Sequence, residues 1–171
     1  PRFGMQMAVP PALSTMTWLG KGPHDNYWDR QTGAPVGRYS GKVADLVHDY
    51  VRPQENGNRT DVRWNALTDA RGAGLLASGL PLLSGSAWPY SMQELEAATH
   101  VHELPHRGDP GHPRPITLNL DYRQTGVGGD DGWGARPHPE YTLDAKPYEY
   151  RFRLRAYTPS MGTLDDVARQ L

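Results

Sequence analysis

The chain has 171 residues, enough for one domain with a sizeable hydrophobic core, and its 19 acidic and 18 basic residues leave a net charge of −1. That balance argues against a nucleic-acid or anionic-membrane partner, either of which calls for a basic face. No aliphatic run is long enough to span a bilayer, and the lack of cysteine excludes a disulfide framework and thiolate chemistry, which points to a cytoplasmic setting. Nothing at the start reads as a leader, and a first residue of Pro rather than Met suggests an excised piece of something longer. With 19 Gly and 16 Pro, many turns between short strands are expected.

In chain order, Phe3, Met5, Met7 and Val9 alternate with other residues, and after the Pro10-Pro11 turn so do Leu13, Thr15, Thr17 and Leu19. Period-2 alternation is the mark of a strand with one side on a core. Val62, Trp64 and Ala66 repeat it, as do Ile116, Leu118, Leu120 and Tyr122. The clearest case is Tyr148, Tyr150, Phe152, Leu154 and Ala156, interleaved with Glu149, Arg151, Arg153 and Arg155. Apolar runs at 74–77 and 80–83 predict two further strands, broken by Gly79 and Pro81. Ser91 and Glu94 form a capping box that opens a short helix over 91–98, and Thr163 and Asp166 repeat the spacing at a second helix running to Leu171. Four prolines and two glycines make 105–115 a surface loop. The expected fold is therefore all-β, with short antiparallel strands favouring a sandwich, and one or two short helices.

The stretch Gly126-Val127-Gly128-Gly129-Asp130-Asp131-Gly132-Trp133-Gly134 holds five glycines in nine residues. So much backbone freedom is useful where a loop bends sharply or approaches something closely. A phosphate cradle fails, because Asp131 stands where a third glycine is needed and no Lys or Ser/Thr follows in the P-loop pattern. Carboxylates that accept hydrogen bonds beside an indole face suit a neutral polyhydroxy ligand. The alternative is a glycine-rich turn whose Trp133 plugs the core.

His100, His102, His106, Asp109 and His112 invite a metal reading, but their spacing matches no zinc pattern. The loops 20–30 and 52–59 are dense in ionisable and aromatic residues and read as ligand loops or as polar pins across a sheet edge. A self-contained glycosidase needs two carboxylates about 5–10 Å apart. Asp130 and Asp131 are adjacent and point apart on an extended chain, and no spacing forces Glu55 or Glu140 toward either.

GKGPHDNYWDR at 20–30, RPQENGNRTDVRW at 52–64, HVHEL at 100–104 and GVGGDDGWG at 126–134 follow the order of one family. From about Pro1 to Tyr157 the chain resembles the C-terminal, small-chain domain of the large β-galactosidases of glycoside hydrolase family 2; residues 158–171 form a tail outside the resemblance. The resemblance implies a galactose-mutarotase-like antiparallel supersandwich, entered after its usual opening strands, and hence an unpaired sheet edge and a possible homo-oligomer. It implies a role in retaining hydrolysis of β-D-galactosides such as lactose, with the catalytic carboxylates, magnesium and sodium on a barrel domain absent from this chain. The catalytic barrel and galactoside sugars are the implied partners, with no catalytic or metal residue on this chain, which alone is expected to be inactive. Trp133 matches the family's sugar-stacking Trp, with Asp130, Asp131 and Gly132 as possible loop supports, although the family commonly has Ser where Gly132 stands. The rival expectations are an autonomous carbohydrate-binding module and a purely structural buttress.

Overall fold

The computed structural model describes residues 1–105 and 113–170. Strands β1 (Arg2–Val9), β2 (Thr15–Lys21), β3 (Val36–Lys42), β4 (Arg59–Thr68), β5 (Gly74–Trp88), β6 (Ile116–Gln124) and β7 (Arg151–Tyr157) carry the fold. Two short helices, α1 (Met92–Ala97) and α2 (Leu164–Arg169), complete it. Every strand pair is antiparallel, and the sheet runs β1-β6-β5-β4-β2-β3, with β7 joined to β5. The all-β antiparallel class expected from the alternation is the one observed.

β5 is the axis of the sheet. Its first half, Gly74–Leu80, pairs with β7, whereas Ser84–Trp88 pairs with β6. Here the structure departs from the sequence expectation of two strands split by Gly79 and Pro81: one strand of 15 residues runs through both. Proline is tolerated because Pro81 lies past the β7 pairing and before the β6 pairing, and the β4 register also skips from Ser78 to Leu83. A missing N–H therefore costs no ladder bond. Strand β3 was not foreseen. Its sequence, VGRYSGK, carries two glycines, and its residues are exposed or half-buried along a sheet edge.

Residues in register share a face, which places Met5 with Leu120 and Met7 with Leu118 and Ala87. That face holds the main core, where Trp18, Val62, Leu83, Leu118 and Leu120 are buried. The opposite face gathers Trp64, Ala66, Leu76 and Tyr157 under Leu164 and Val167 of α2. Thr163 caps α2 by accepting from Asp166 N, and Trp64 Nε1 donates to Asp165 Oδ1 at 3.1 Å. The tail is thus packed on the sheet. The predicted capping box at α1 is present, with Ser91 Oγ accepting from Glu94 N and Glu94 returning to the Ser91 N–H, and Leu95 joins Trp88 and Tyr90 in a third cluster. No described helix is long and apolar enough to cross a membrane.

Candidate carbohydrate-facing loop

The glycine-rich segment lies in the connection from β6 to β7, and its two roots are tied together. Gly126 N donates to the Tyr141 carbonyl at 2.7 Å, and Leu143 N donates to Thr125 Oγ1 at 3.2 Å. Thr125 N in turn donates to the Pro1 carbonyl at 2.8 Å, so β1 holds the same root. The excursion between these ties leans on the first motif loop. Gly128 N donates to Asp29 Oδ2 at 2.9 Å, Trp28 meets Tyr141 edge-on at 5.5 Å, and the Arg123 guanidinium sits 4.2 Å from the Trp28 ring centre. A methyl at Gly128 would strike the Arg30 guanidinium, and one at Gly129 would strike the Ala135 carbonyl. The guanidinium could swing aside, but the Ala135 backbone could not, so Gly129 is the glycine needed for close approach.

The two carboxylates do different jobs. Asp131 Oδ1 accepts from the backbone N–H of Trp133 at 2.8 Å and of Ala135 at 3.2 Å, which folds the tip into a turn of the kind short Asp side chains stabilise. Asp130 faces His138, with Nε2 2.9 Å from Oδ1. This hydrogen bond and the Asp130 charge, with Glu140 farther off, raise the His138 pKa above its ordinary value. Glu55 belongs to another cluster, where it meets Arg2 at 3.4 Å and Tyr27 Oη at 3.4 Å. Glu140 lies on the other side of the same imidazole, its Oε1 3.9 Å from His138 Nδ1, and with Asp131 turned onto the backbone these groups shape the tip of the loop.

At that tip Trp133 is 96% exposed, the most exposed large apolar side chain among the described residues. A core plug is excluded. An added Cβ at Gly132 meets nothing within 4 Å, so a methyl there would displace nothing.

Beneath the loop root, Arg2 bridges Asp121 at 2.7 Å and Glu55 at 3.4 Å. Burial pushes Asp121 up to about 6 despite the neighbouring guanidinium, and burial likewise raises Glu55. The motif loops 20–30 and 52–64 join through Asn26: its Oδ1 accepts from Thr60 N at 2.8 Å, and its carbonyl accepts from Asn58 Nδ2 at 2.9 Å. They act as internal pins.

His100 and His102 stack with ring centres 5.6 Å apart, and His100 lies 3.5 Å from Glu103. His106, Asp109 and His112 fall outside the described residues, and among the described ones no group of three His, Cys, Asp or Glu could hold a metal. Sequence reasoning missed the anchors Trp28, Asp29 and Tyr141 and the Asp130–His138 pair. Asp29 and Gly128 are 99 positions apart, and no local pattern joins them.

The sequence matches the family described as "Beta galactosidase small chain" over residues 1–154, nearly the whole chain. The chain belongs to the β-galactosidase small-chain family. A β-galactosidase of Priestia megaterium is 46% identical over 156 residues, covering 91% of this chain and 14% of that protein. One from Halalkalibacterium halodurans is 40% identical over 85% of the chain, and one from Vibrio cholerae 39% over 94%, each match again covering 14% of the relative. The small-chain domain thus spans about one-seventh of the length of these relatives.

Proposed function

We propose that this small-chain domain serves a β-galactosidase that cleaves terminal β-D-galactosides with retention. In this reading Trp133 offers its indole face to the aglycone or acceptor sugar at a site shared with a catalytic barrel outside the chain. The observation that carries the reading is the pairing of a 96% exposed indole with a loop braced on both sides. With the backbone tied, only the indole's own two side-chain torsions remain to be ordered on contact, less than an unbraced loop would lose. An indole also presents a flat apolar face to the C–H face of a sugar without demanding one hydroxyl pattern. Asp131 sets the tip, Asp29 holds its shoulder, and neither needs to touch the sugar. Proton transfer and glycosyl chemistry are assigned to the barrel, together with any magnesium or sodium it holds.

The test is Trp133→Ala in the full-length enzyme. The expected loss is about 0.5–1.5 kcal/mol of acceptor or aglycone binding, roughly two- to twelvefold in affinity. Stability should move by less than about 0.5 kcal/mol, because the ring packs on nothing in this domain. Unchanged acceptor kinetics would reduce the domain to a buttress. Saturable sugar binding by the isolated chain, lost in the variant, would instead make it an autonomous module.

A further inference from the structure

On the face of the sheet covered by α2, three arginines wall one cleft of about 250 Å³: Arg63 of β4, Arg153 of β7 and Arg169 of α2, with Leu19, Trp64 and Leu80 between them. The register explains the gathering. Leu19 pairs with Trp64, Trp64 with Ser78 and Ser78 with Arg153, so these four form one row across β2, β4, β5 and β7. β4 is irregular just before that row. Asp61 has φ 51°, and Val62 packs in the main core whereas Trp64, two residues on, packs on the opposite face. In a regular strand those two would share a face, so the chain is kinked at Arg63, as a bulge does when it re-aims a side chain. Arg169 comes from the tail, past residue 154 where the family match ends.

No Asp or Glu lines this cleft. The carboxylates around it are held by cations outside it: Asp61 meets Lys21 at 3.5 Å, Asp165 meets Arg38 at 3.3 Å and Glu149 meets Arg151 at 2.8 Å. Arg63 and Arg153 donate only to backbone carbonyls, those of Asp61 and Gln170. The Arg169 guanidinium has no ion pair or hydrogen bond among the described residues. Three positive groups thus share one small cleft without a carboxylate, in a chain whose net charge is −1. Walls of one sign focus the field and gather counter-ions. From these observations we infer an anion site here, one that takes a phosphate group, either inorganic phosphate or a small phosphomonoester.

The planar guanidinium fork matches the paired oxygens of a carboxylate or a phosphate. A monocarboxylate has oxygens and charge for one such fork, whereas a phosphate dianion has three oxygens to share among three arginines. The volume lies just below the usual range for small-molecule sites, about 300–1,000 Å³, which suits a phosphate with a short carbon body and not an extended polyanion. Leu19 and Leu80 supply apolar surface for that body.

The test is calorimetric titration of the full chain, at constant ionic strength, with inorganic phosphate, glycerol 1-phosphate and sodium acetate. The cleft shares no residue with the Trp133 loop, so this inference and the one for the loop stand or fall apart. Phosphate should bind saturably with a Kd below about 10 mM, and acetate at least tenfold more weakly. Tighter binding of glycerol 1-phosphate would identify the ligand as a phosphomonoester, and equal binding as inorganic phosphate. Arg63→Gln and Arg169→Gln remove exposed guanidinium groups that pair with no described carboxylate. Each should retain the melting temperature and lower phosphate affinity at least fivefold. Arg151→Gln deletes the same charge from a neighbouring position outside the cleft and should leave affinity within about twofold. The inference is overturned if neither phosphate saturates, if acetate binds as well, or if the two cleft variants bind like the parent. It is overturned equally if Arg151→Gln weakens binding as much as they do, the mark of diffuse charge and not of a site.

Discussion

Replacing Gly129 with Ala asks whether the tip is built as described. The added methyl would collide with the backbone carbonyl of Ala135, which cannot swing aside as a side chain can. Relief requires residue 135 to move away, and that movement disturbs the hydrogen bonds from Trp133 N and Ala135 N to Asp131 Oδ1. Overpacking of this kind costs about 1–3 kcal/mol, here charged to the local closed state of an exposed loop and not to the core. Local opening should rise by about five- to 150-fold, because each 1.4 kcal/mol is tenfold. Hydrogen exchange of the amides at Trp133 and Ala135 reads this directly, since those two N–H groups make the bonds at risk. The matched control is Gly132→Ala, where the methyl meets nothing within 4 Å and exchange should stay within about twofold of the parent. In the full-length enzyme the Gly129 variant should then lose acceptor affinity about as Trp133→Ala does, with an unchanged melting temperature. Equal exchange in the two glycine variants would refute the reasoning, as would a large drop in global stability for either.

Three further outcomes follow from the titrating groups and caps. Asp121 has a folded pKa of about 6 against an ordinary 3.8, so the native state binds its proton more tightly than the unfolded chain. Its favourable contribution is full below about pH 4 and fades as pH rises to about 6, a change on the order of 3 kcal/mol; Asp121→Asn should flatten that part of the stability–pH curve. His138 has its pKa raised by Asp130, so the order it lends the loop is present below its ordinary value of 6.5 and lost as pH rises through the raised one. Exchange in 126–135 should quicken across that interval and become pH-independent, beyond intrinsic chemistry, in His138→Gln. Ser91→Ala removes the capping box and should cost about 1 kcal/mol, seen as a lower melting temperature with the loop amides unaffected.

Much of the sheet was legible because one apolar face and one polar face write themselves as alternation, even in β6, where both faces are buried. Met5 and Met7 in β1, Leu118 and Leu120 in β6, and Phe152 and Leu154 in β7 all repeat every second position. The caps at Ser91 and Thr163 were legible because a cap is a local bond. β3 was hidden since an edge strand with two glycines has no buried face to reveal. The stretch 148–150, read as the start of the last strand, precedes it; Tyr148 and Tyr150 instead pack their rings on Phe3, 5.4 and 5.5 Å away. At the candidate site, the glycines and Trp133 stood out by composition and by family resemblance. Composition alone could not separate a plug from a platform, because that depends on what lies across from the ring. The braces at Asp29 and Tyr141 depend on residues brought together only by the fold.

The tie between Thr125 and Pro1 carries a kinetic consequence. β1 pairs with β6 from Arg2 opposite Gln124 to Val9 opposite Ile116, so the first segment of the domain must find a partner more than a hundred positions away. Closing so long a span is entropically slow and belongs among the later events of β-sheet assembly. The Trp133 platform has one foot on that closure, so a domain whose other strands have already formed would still present its indole on a slack tether. The posture of one side chain then reports whether the whole sheet is complete.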